Sequence, residues 1–160
     1  VSRPDQVARA AALGVVPGPQ GRFVGESGDG MLRALGPERA SWIYRYRSLL
    51  DAGIVAPVSS DRPVVDGTPL KGIHDMVNRR TDSGQECGPE EAISGLEALT
   101  AYTLGSAHAS HQEHEKGTIA PGKLADLVVL DDDPATVSPR VIRDIRVLRT
   151  FLGGEVVWEA

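Results

Sequence analysis

The carboxylate of Asp61 is the first candidate for chemistry, because it directly follows a short apolar run, Ile54 to Ser60. Such a run is typical of a parallel strand buried on both faces, and α/β enzymes hold catalytic groups at the ends of these strands. A carboxylate there can bind a divalent metal ion and take a proton from metal-bound water. Alternatively, Asp61 caps a turn through its own backbone. Position alone leaves both interpretations open.

A second candidate is the set of three histidines at spacings of three: His108, His111 and His114. This spacing puts side chains on neighbouring turns of a helix, and paired ligands on one face can hold zinc. However, the third histidine drifts around the helix, and the polar neighbours favour a solvated helix end. A stand-alone zinc-binding protein therefore remains a weaker hypothesis.

The only cysteine, Cys87, excludes an internal disulfide framework. Its neighbours are typical of a turn, and none is positively charged, so we expect no catalytic role. A chain without disulfides fits a reducing compartment, and we expect a cytoplasmic location.

The elements that must position these groups follow from apolar periodicity and turn residues. We expect helices over 6–13, 38–52, 70–80 and 89–109, a loop over 21–30, and strands over 54–60, 124–130, 145–152 and 155–158. Gly153-Gly154 predicts a tight hairpin turn between the last two strands. The pattern changes from α/β to antiparallel β near residue 115.

Composition narrows the class of protein. The 160 residues are 41% hydrophobic and carry a net charge of −5 with scattered basic residues, so we expect neither nucleic acid nor membrane as a partner.

The chain is too short for a complete (β/α)₈ barrel, which needs about 250 residues. Because the chain begins at Val1 without methionine, we expect a piece of a longer protein.

Three segments in order carry a family resemblance: 49–64, ending in Ser60-Asp61-Arg62-Pro63-Val64; 90–103; and 116–130, followed by Asp133-Pro134. They resemble the C-terminal part of the amidohydrolase superfamily, most closely the amidohydrolase-3 branch with its N-substituted formamide deformylase-like enzymes. Residues 149–157 resemble its closing hairpin. The segment from Gly14 to Phe23, with Gln20, is similar to the loop after the seventh barrel strand.

The resemblance implies an α/β fold: the C-terminal portion of a TIM-type (β/α)₈ barrel over 1–115 and part of a small β-sandwich (composite) domain over 116–160. It implies that Asp61 binds the metal, expected to be zinc, and shuttles a proton. Four residues would shape the substrate site around it: Gln20, Ser60, Arg62 and Pro63. Arg79 matches a family arginine with an expected structural or pocket-edge role.

The family's other metal ligands, including its His-x-His pair, have no counterpart in the chain. We therefore expect a fragment of a hydrolase for carbon–nitrogen bonds in small amide or formamide-like substrates, inactive by itself. The alternative is a non-catalytic truncated relative that serves as a binding or assembly module. Exposed strand edges of an incomplete barrel could also pair two copies into a homo-oligomer.

Overall fold

The computed structural model describes residues 1–160, with helices in the first two-thirds and a small sheet at the end. The helices are α1 (Pro4–Ala12), α2 (Phe23–Ala40), α3 (Tyr46–Asp51), α4 (Pro69–Asn78), α5 (Gly95–Thr100) and α6 (Ser106–Ala109). A π-helical turn, Ala101–Gly105, joins α5 to α6, and 3₁₀ turns span Pro89–Glu91 and Pro139–Asp144. The architecture is α/β with a separate antiparallel sheet.

Helices α1 and α4 confirm two predictions to within two residues. Each has a proline in its first turn, where a missing N–H costs nothing. Beyond α1, Gly14 has φ +66°, and α4 ends on Arg79 with φ +51°. Both ends adopt the left-handed conformation that closes many helices.

The loop expected over 21–30 is wrong, since α2 occupies it from Phe23 onward. The helix expected over 38–52 is confirmed only in part, because two helices with a turn between them occupy this range. Helix α2 kinks at Gly36 (φ +72°) and ends at Ala40, and Tyr44, with φ +44°, interrupts the helical path before α3.

The helix expected over 89–109 is confirmed only from Gly95 to Ala109, where α5, the π-helical turn and α6 follow one another without a break. The start of the expected range is only a 3₁₀ turn, and the backbone is extended at Ala92. Helix α5 begins later, where the Ser94 hydroxyl accepts from the Glu97 N–H and the Glu97 carboxylate returns a bond to the Ser94 N–H. This reciprocal capping fixes the true helix start.

The segment 54–60 is extended but does not form the expected strand, because its only pairing is one parallel bridge between Gln20 and Ser59. Its burial alternates: Ile54, Ala56 and Val58 are buried, whereas Val55 and Ser59 are exposed. The expected burial on both faces is therefore wrong. Helices cover one side of the segment only.

The sheet contains β1 (Leu127–Leu130), β2 (Val147–Leu152) and β3 (Glu155–Glu159) in the order β1-β2-β3, antiparallel throughout. Leu152 pairs with Glu155 across Gly153 (φ +59°) and Gly154 (φ +88°). Two positive φ angles in a two-residue loop are typical of the type I′ turn, which confirms the predicted hairpin.

The main hydrophobic core forms around α4. Its buried members include Leu70, Ile73 and Met76 from α4, Ala56 and Val58 from the extended segment, and Ile142 and Ile145 from the region before β2. A smaller cluster joins Val24, Ala40, Ile43 and Cys87. None of the helices combines the length and apolar character needed to cross a bilayer.

Candidate functional site

Two extended segments meet at the predicted site. Gln20 pairs in parallel with Ser59, and the Ser59 N–H donates to the Pro19 carbonyl at 3.4 Å. Because the pairing is parallel, the chain leaves both segments at the same edge. The structure thereby brings Gln20 next to Ser59 and to Asp61, which follows two residues later.

Asp61 sits at a sharp turn. Its φ is +56°, a left-handed conformation that aspartate tolerates better than most residues, and its carbonyl accepts from the Val64 N–H at 2.9 Å. The hydroxyl of Ser60 accepts from the Arg62 N–H at 3.3 Å, which tightens the same turn. Asp61 is exposed and takes part in none of the chain's ion pairs. Its carboxylate is therefore open to an external group.

The other predicted site residues lie around this turn with different orientations. Arg62 folds back, since a Cβ atom added to Gly67 would come within 2.7 Å of the Arg62 Cδ atom. Pro63 is exposed. Gln20 borders a cavity of about 260 Å³ next to Tyr44.

Side chains from the helices hold the extended segment in place of sheet partners. The Tyr46 hydroxyl donates to the Pro57 carbonyl, and the Ser106 hydroxyl donates to the Val58 carbonyl at 3.3 Å. Gly105 packs directly on the segment, where an added Cβ atom would lie 2.8 Å from the Ala56 carbonyl oxygen. These contacts fix the backbone three to five residues before Asp61.

A charge network centred on Arg22 was not predicted from the sequence. Arg22 donates to Asp75 at 2.6 Å and to both oxygens of Asp82, at 2.9 and 3.1 Å. Burial lowers the pKa of Arg22, but hydrogen bonds to Asp82 and Asp75 outweigh it, and the net shift is upward. The network continues from Asp75 to His74 Nδ1 at 2.9 Å, and from His74 to Arg143 at 3.1 Å.

One sequence signal could have revealed this network. His74 and Asp75 are polar residues among apolar neighbours in α4, and both are buried, Asp75 to 1% exposure. A polar pair at core positions of a helix requires buried partners, because an unpaired buried charge is costly. The identity of the partners, fifty and more residues away, was not accessible from spacing.

Arg79 is 1% exposed and binds backbone carbonyls. Its guanidinium donates to Gly88 at 3.0 Å, Tyr44 at 3.2 Å and Ile43 at 2.8 Å. Burial lowers its pKa below the usual value for arginine. Of the two roles expected for Arg79, these contacts fit the structural one.

The histidine cluster does not assemble. His108 Nδ1 faces Glu113 at 3.4 Å, His114 Nε2 faces Glu115 at 3.5 Å, and His111 has φ +56° beyond the end of α6. No group of three or more potential metal ligands converges anywhere in the chain. The hypothesis of a stand-alone zinc site on these histidines is wrong.

Cys87 is fully buried, and burial raises the pKa of its thiol. A buried thiol with a raised pKa is a poor nucleophile. The structure thus agrees with the expectation that Cys87 has no catalytic role.

The sequence matches the model of the amidohydrolase family over residues 1–158. An N-substituted formamide deformylase from Arthrobacter pascens is 38% identical over 117 residues, covering 73% of this chain and 22% of that protein. The amidohydrolase YtcJ of Bacillus subtilis is 31% identical over 159 residues, covering 97% of this chain and 30% of that protein. The chain therefore spans less than a third of the length of these relatives.

Solved structures of longer hydrolases also contain a part that superposes on this chain. A metal-dependent hydrolase from Pyrococcus horikoshii superposes with a TM-score of 0.77 at 29% identity, covering 87% of this chain and 29% of that one. An amidohydrolase from Thermotoga maritima superposes with a TM-score of 0.67 at 19% identity, covering 98% of this chain and 35% of that one. At this low identity, the superposition shows a similar fold and nothing more.

Proposed function

The chain belongs to the amidohydrolase family, and on that premise we propose that it is the C-terminal part of a metal-dependent hydrolase for non-peptide carbon–nitrogen bonds. The observation that carries the proposal is the exposed carboxylate of Asp61, at the edge where the Gln20 and Ser59 segments meet. The names of the deformylase and of the P. horikoshii hydrolase support the reaction class and the metal. Amides, including formamides, are the substrate class that we propose.

We also propose that residues 1–115 form the last segments of a (β/α)₈ barrel and residues 116–160 part of a β-sandwich. The parallel contact of Gln20 with Ser59 supports the first part, because neighbouring barrel strands run parallel. The antiparallel sheet β1-β2-β3 supports the second. Both units would be completed by segments outside these 160 residues.

This chain alone does not supply enough ligands for the catalytic metal ion, which we propose to be zinc. A catalytic zinc ion takes about three protein ligands, whereas no three potential ligands converge here. Asp61 offers one oxygen ligand. The others would come from the part of the longer protein that the chain does not cover. When bound, such an ion supplies Lewis-acid chemistry at the amide carbonyl.

Asp61 moves the protons in this proposal. Its carboxylate takes a proton from the attacking water and later gives it to the departing nitrogen as the carbon–nitrogen bond breaks. The amide R–CO–NH–R′ and water thereby become the acid R–COOH and the amine H₂N–R′. The left-handed turn at Asp61, tightened by Ser60, would keep the carboxylate pointed at the reacting atoms.

The test is amine release by the protein expressed from the longer reading frame that encodes this chain. We expect hydrolysis of simple N-substituted formamides or amides, lost on chelation and restored by zinc, and none from the 160 residues alone. A reading frame that encodes no further metal ligands would contradict the proposal. It would leave the alternative of a non-catalytic binding or assembly module.

A further inference from the structure

Prolines interrupt the pairing of the two extended segments that meet at the site. The bridge between Gln20 and Ser59 uses the bond from the Ser59 N–H to the Pro19 carbonyl. Bonds in a parallel pair recur at every second residue. One step earlier in this register, the N–H of residue 19 would donate to the carbonyl of residue 57, and the N–H of residue 57 to the carbonyl of residue 17. Residues 19 and 57 are both prolines, which have no N–H to donate.

The segments nevertheless stay side by side where these two bonds are missing. A Cβ atom added to Gly18 would lie 3.5 Å from the Pro57 Cγ atom, which is ordinary van der Waals contact. The register set by the bridge therefore continues to Gly18 and Pro57. The carbonyl of Pro57 is partly buried and faces a position at which Pro19 offers no donor. Such a backbone carbonyl requires another partner.

The hydroxyl of Tyr46 is that partner. Tyr46 is the first residue of α3, is 1% exposed and belongs to the main core. Its hydroxyl donates to the Pro57 carbonyl. Burial raises the pKa of Tyr46, so the hydroxyl keeps its proton and remains a donor. Because the core holds the ring, this donor has a fixed position.

We propose that Tyr46 is a positioning residue for the proton transfer at Asp61, because its hydroxyl replaces the bond that Pro19 cannot form. This inference rests on the proposed function, in which Asp61 carries the proton. Pro57 lies four residues before Asp61 in the same extended segment. Loss of the Tyr46 bond would let this segment shift, and a small displacement of a catalytic group slows its reaction steeply.

The test uses point variants of the longer protein that contains this chain. Tyr46→Phe removes the hydroxyl and keeps the ring. Pro19→Ala adds an N–H that can donate to the Pro57 carbonyl once Tyr46→Phe has freed it, so the double variant is a rescue experiment. Tyr102→Phe is the matched control, because the Tyr102 hydroxyl lies against α4, where a Cβ atom added to Gly72 would come within 1.8 Å of it.

We expect Tyr46→Phe to lower kcat about tenfold and to change KM less than about twofold, because Asp61 acts only as the transition state forms. Pro19→Ala should restore most of the lost kcat in the Tyr46→Phe background and should leave kcat near wild type when made alone. Tyr102→Phe should also stay near wild type. A general loss of packing would not be restored by one N–H at position 19. An unchanged kcat in Tyr46→Phe, or a reduced kcat that Pro19→Ala does not raise, would overturn the proposal.

Stability separates this inference from the proposed function. If the longer protein hydrolyses amides but Tyr46→Phe keeps the wild-type kcat, the positioning role is disproved and the function stands. If no amide is hydrolysed, the function fails, and the Tm values of the same variants decide whether the hydroxyl replaces the missing bond. Pro19→Ala should raise Tm only in the Tyr46→Phe background. An equal effect of Pro19→Ala in both backgrounds would disprove the replacement.

Discussion

The helical part and the sheet handle polarity in opposite ways. The helical part buries charged side chains, among them Arg22, Asp75 and Arg79, and gives each of them partners inside the fold. The sheet exposes apolar side chains: Val128, Val156, Val157 and Trp158 are each about half exposed. Buried charges with partners inside the fold allow few alternative arrangements of the chain, whereas an uncovered sheet face allows many. The part with enforced geometry is the one that presents Asp61.

Removing Asp75 should give the largest effect. Asp75→Ala leaves Arg22 without its buried partner and removes the hydrogen bond between Asp75 and His74, so we expect a loss of roughly 3–5 kcal/mol in the free energy of unfolding. Urea denaturation measures it. The matched variant in the sheet, Arg149→Ala, breaks an exposed pair with Glu159 and should cost under about 1 kcal/mol. Equal losses would break the comparison.

The next prediction concerns how the sheet is anchored. Ile142 precedes β2, is 1% exposed and belongs to the main core beside α4. Ile142→Ala should cost about 2–4 kcal/mol, because it leaves a cavity where the two regions join. Val156→Ala, on the exposed face of β3, should change stability by less than about 0.5 kcal/mol. A larger loss for Val156 would mean that this face is covered in solution.

Two glycines in the helical part should respond in opposite directions. Gly105→Ala would place a Cβ atom 2.8 Å from the Ala56 carbonyl oxygen, and we expect a loss of about 1–3 kcal/mol from overpacking. Gly30→Ala, inside α2 with nothing within 4 Å, should stabilise the chain by about 0.5–1 kcal/mol. Thermal unfolding of both variants checks this, and a stable Gly105→Ala protein would argue against tight packing on the extended segment.

The smallest effect should be the pH dependence of Asp82. Its hydrogen bond with Arg22 lowers its pKa below the ordinary 3.8, so its stabilising contribution is present above about pH 4 and is lost as pH falls through the lower folded value. Because the side chain is half exposed, Asp82→Asn should reduce the stability difference between pH 6 and pH 3 by less than about 1 kcal/mol. Asp131→Asn, in the turn after β1, should change that difference even less. A larger change for Asp131→Asn than for Asp82→Asn would contradict this prediction, because it would mean that acid destabilises the sheet more than the helical part.

Local signals predicted the elements that depend on local chemistry. Helix α4, with its leading proline, and the hairpin at Gly153-Gly154 were both correct. Helix α2 was missed because glycines count against a helix. Gly25 is required there by distant residues, since an added Cβ atom would lie 2.3 Å from the Asp75 carboxylate. Tertiary packing overrides propensity at such positions.

In the candidate site, too, local signals predicted some residues, and contacts between distant residues hid others. Asp61 and Gln20 were predicted from a strand end and a family resemblance, and the structure places their segments side by side. The charge network around Arg22 was not found, because Arg22 lies more than fifty residues from both Asp75 and Asp82 along the chain. The helix predicted through Tyr44 failed because the distant Arg79 binds the carbonyls at which the chain leaves the helical path.

The central claim is that Asp61 is the proton-shuttling carboxylate of an amide-cleaving site. The most direct test is the kcat of Asp61→Asn in the longer protein. Asparagine tolerates the left-handed conformation at position 61, so folding should be unaffected. We predict a loss of roughly 100- to 10,000-fold, with Asp66→Asn, in the same loop, near wild type. A folded Asp61→Asn protein with wild-type kcat would contradict the account.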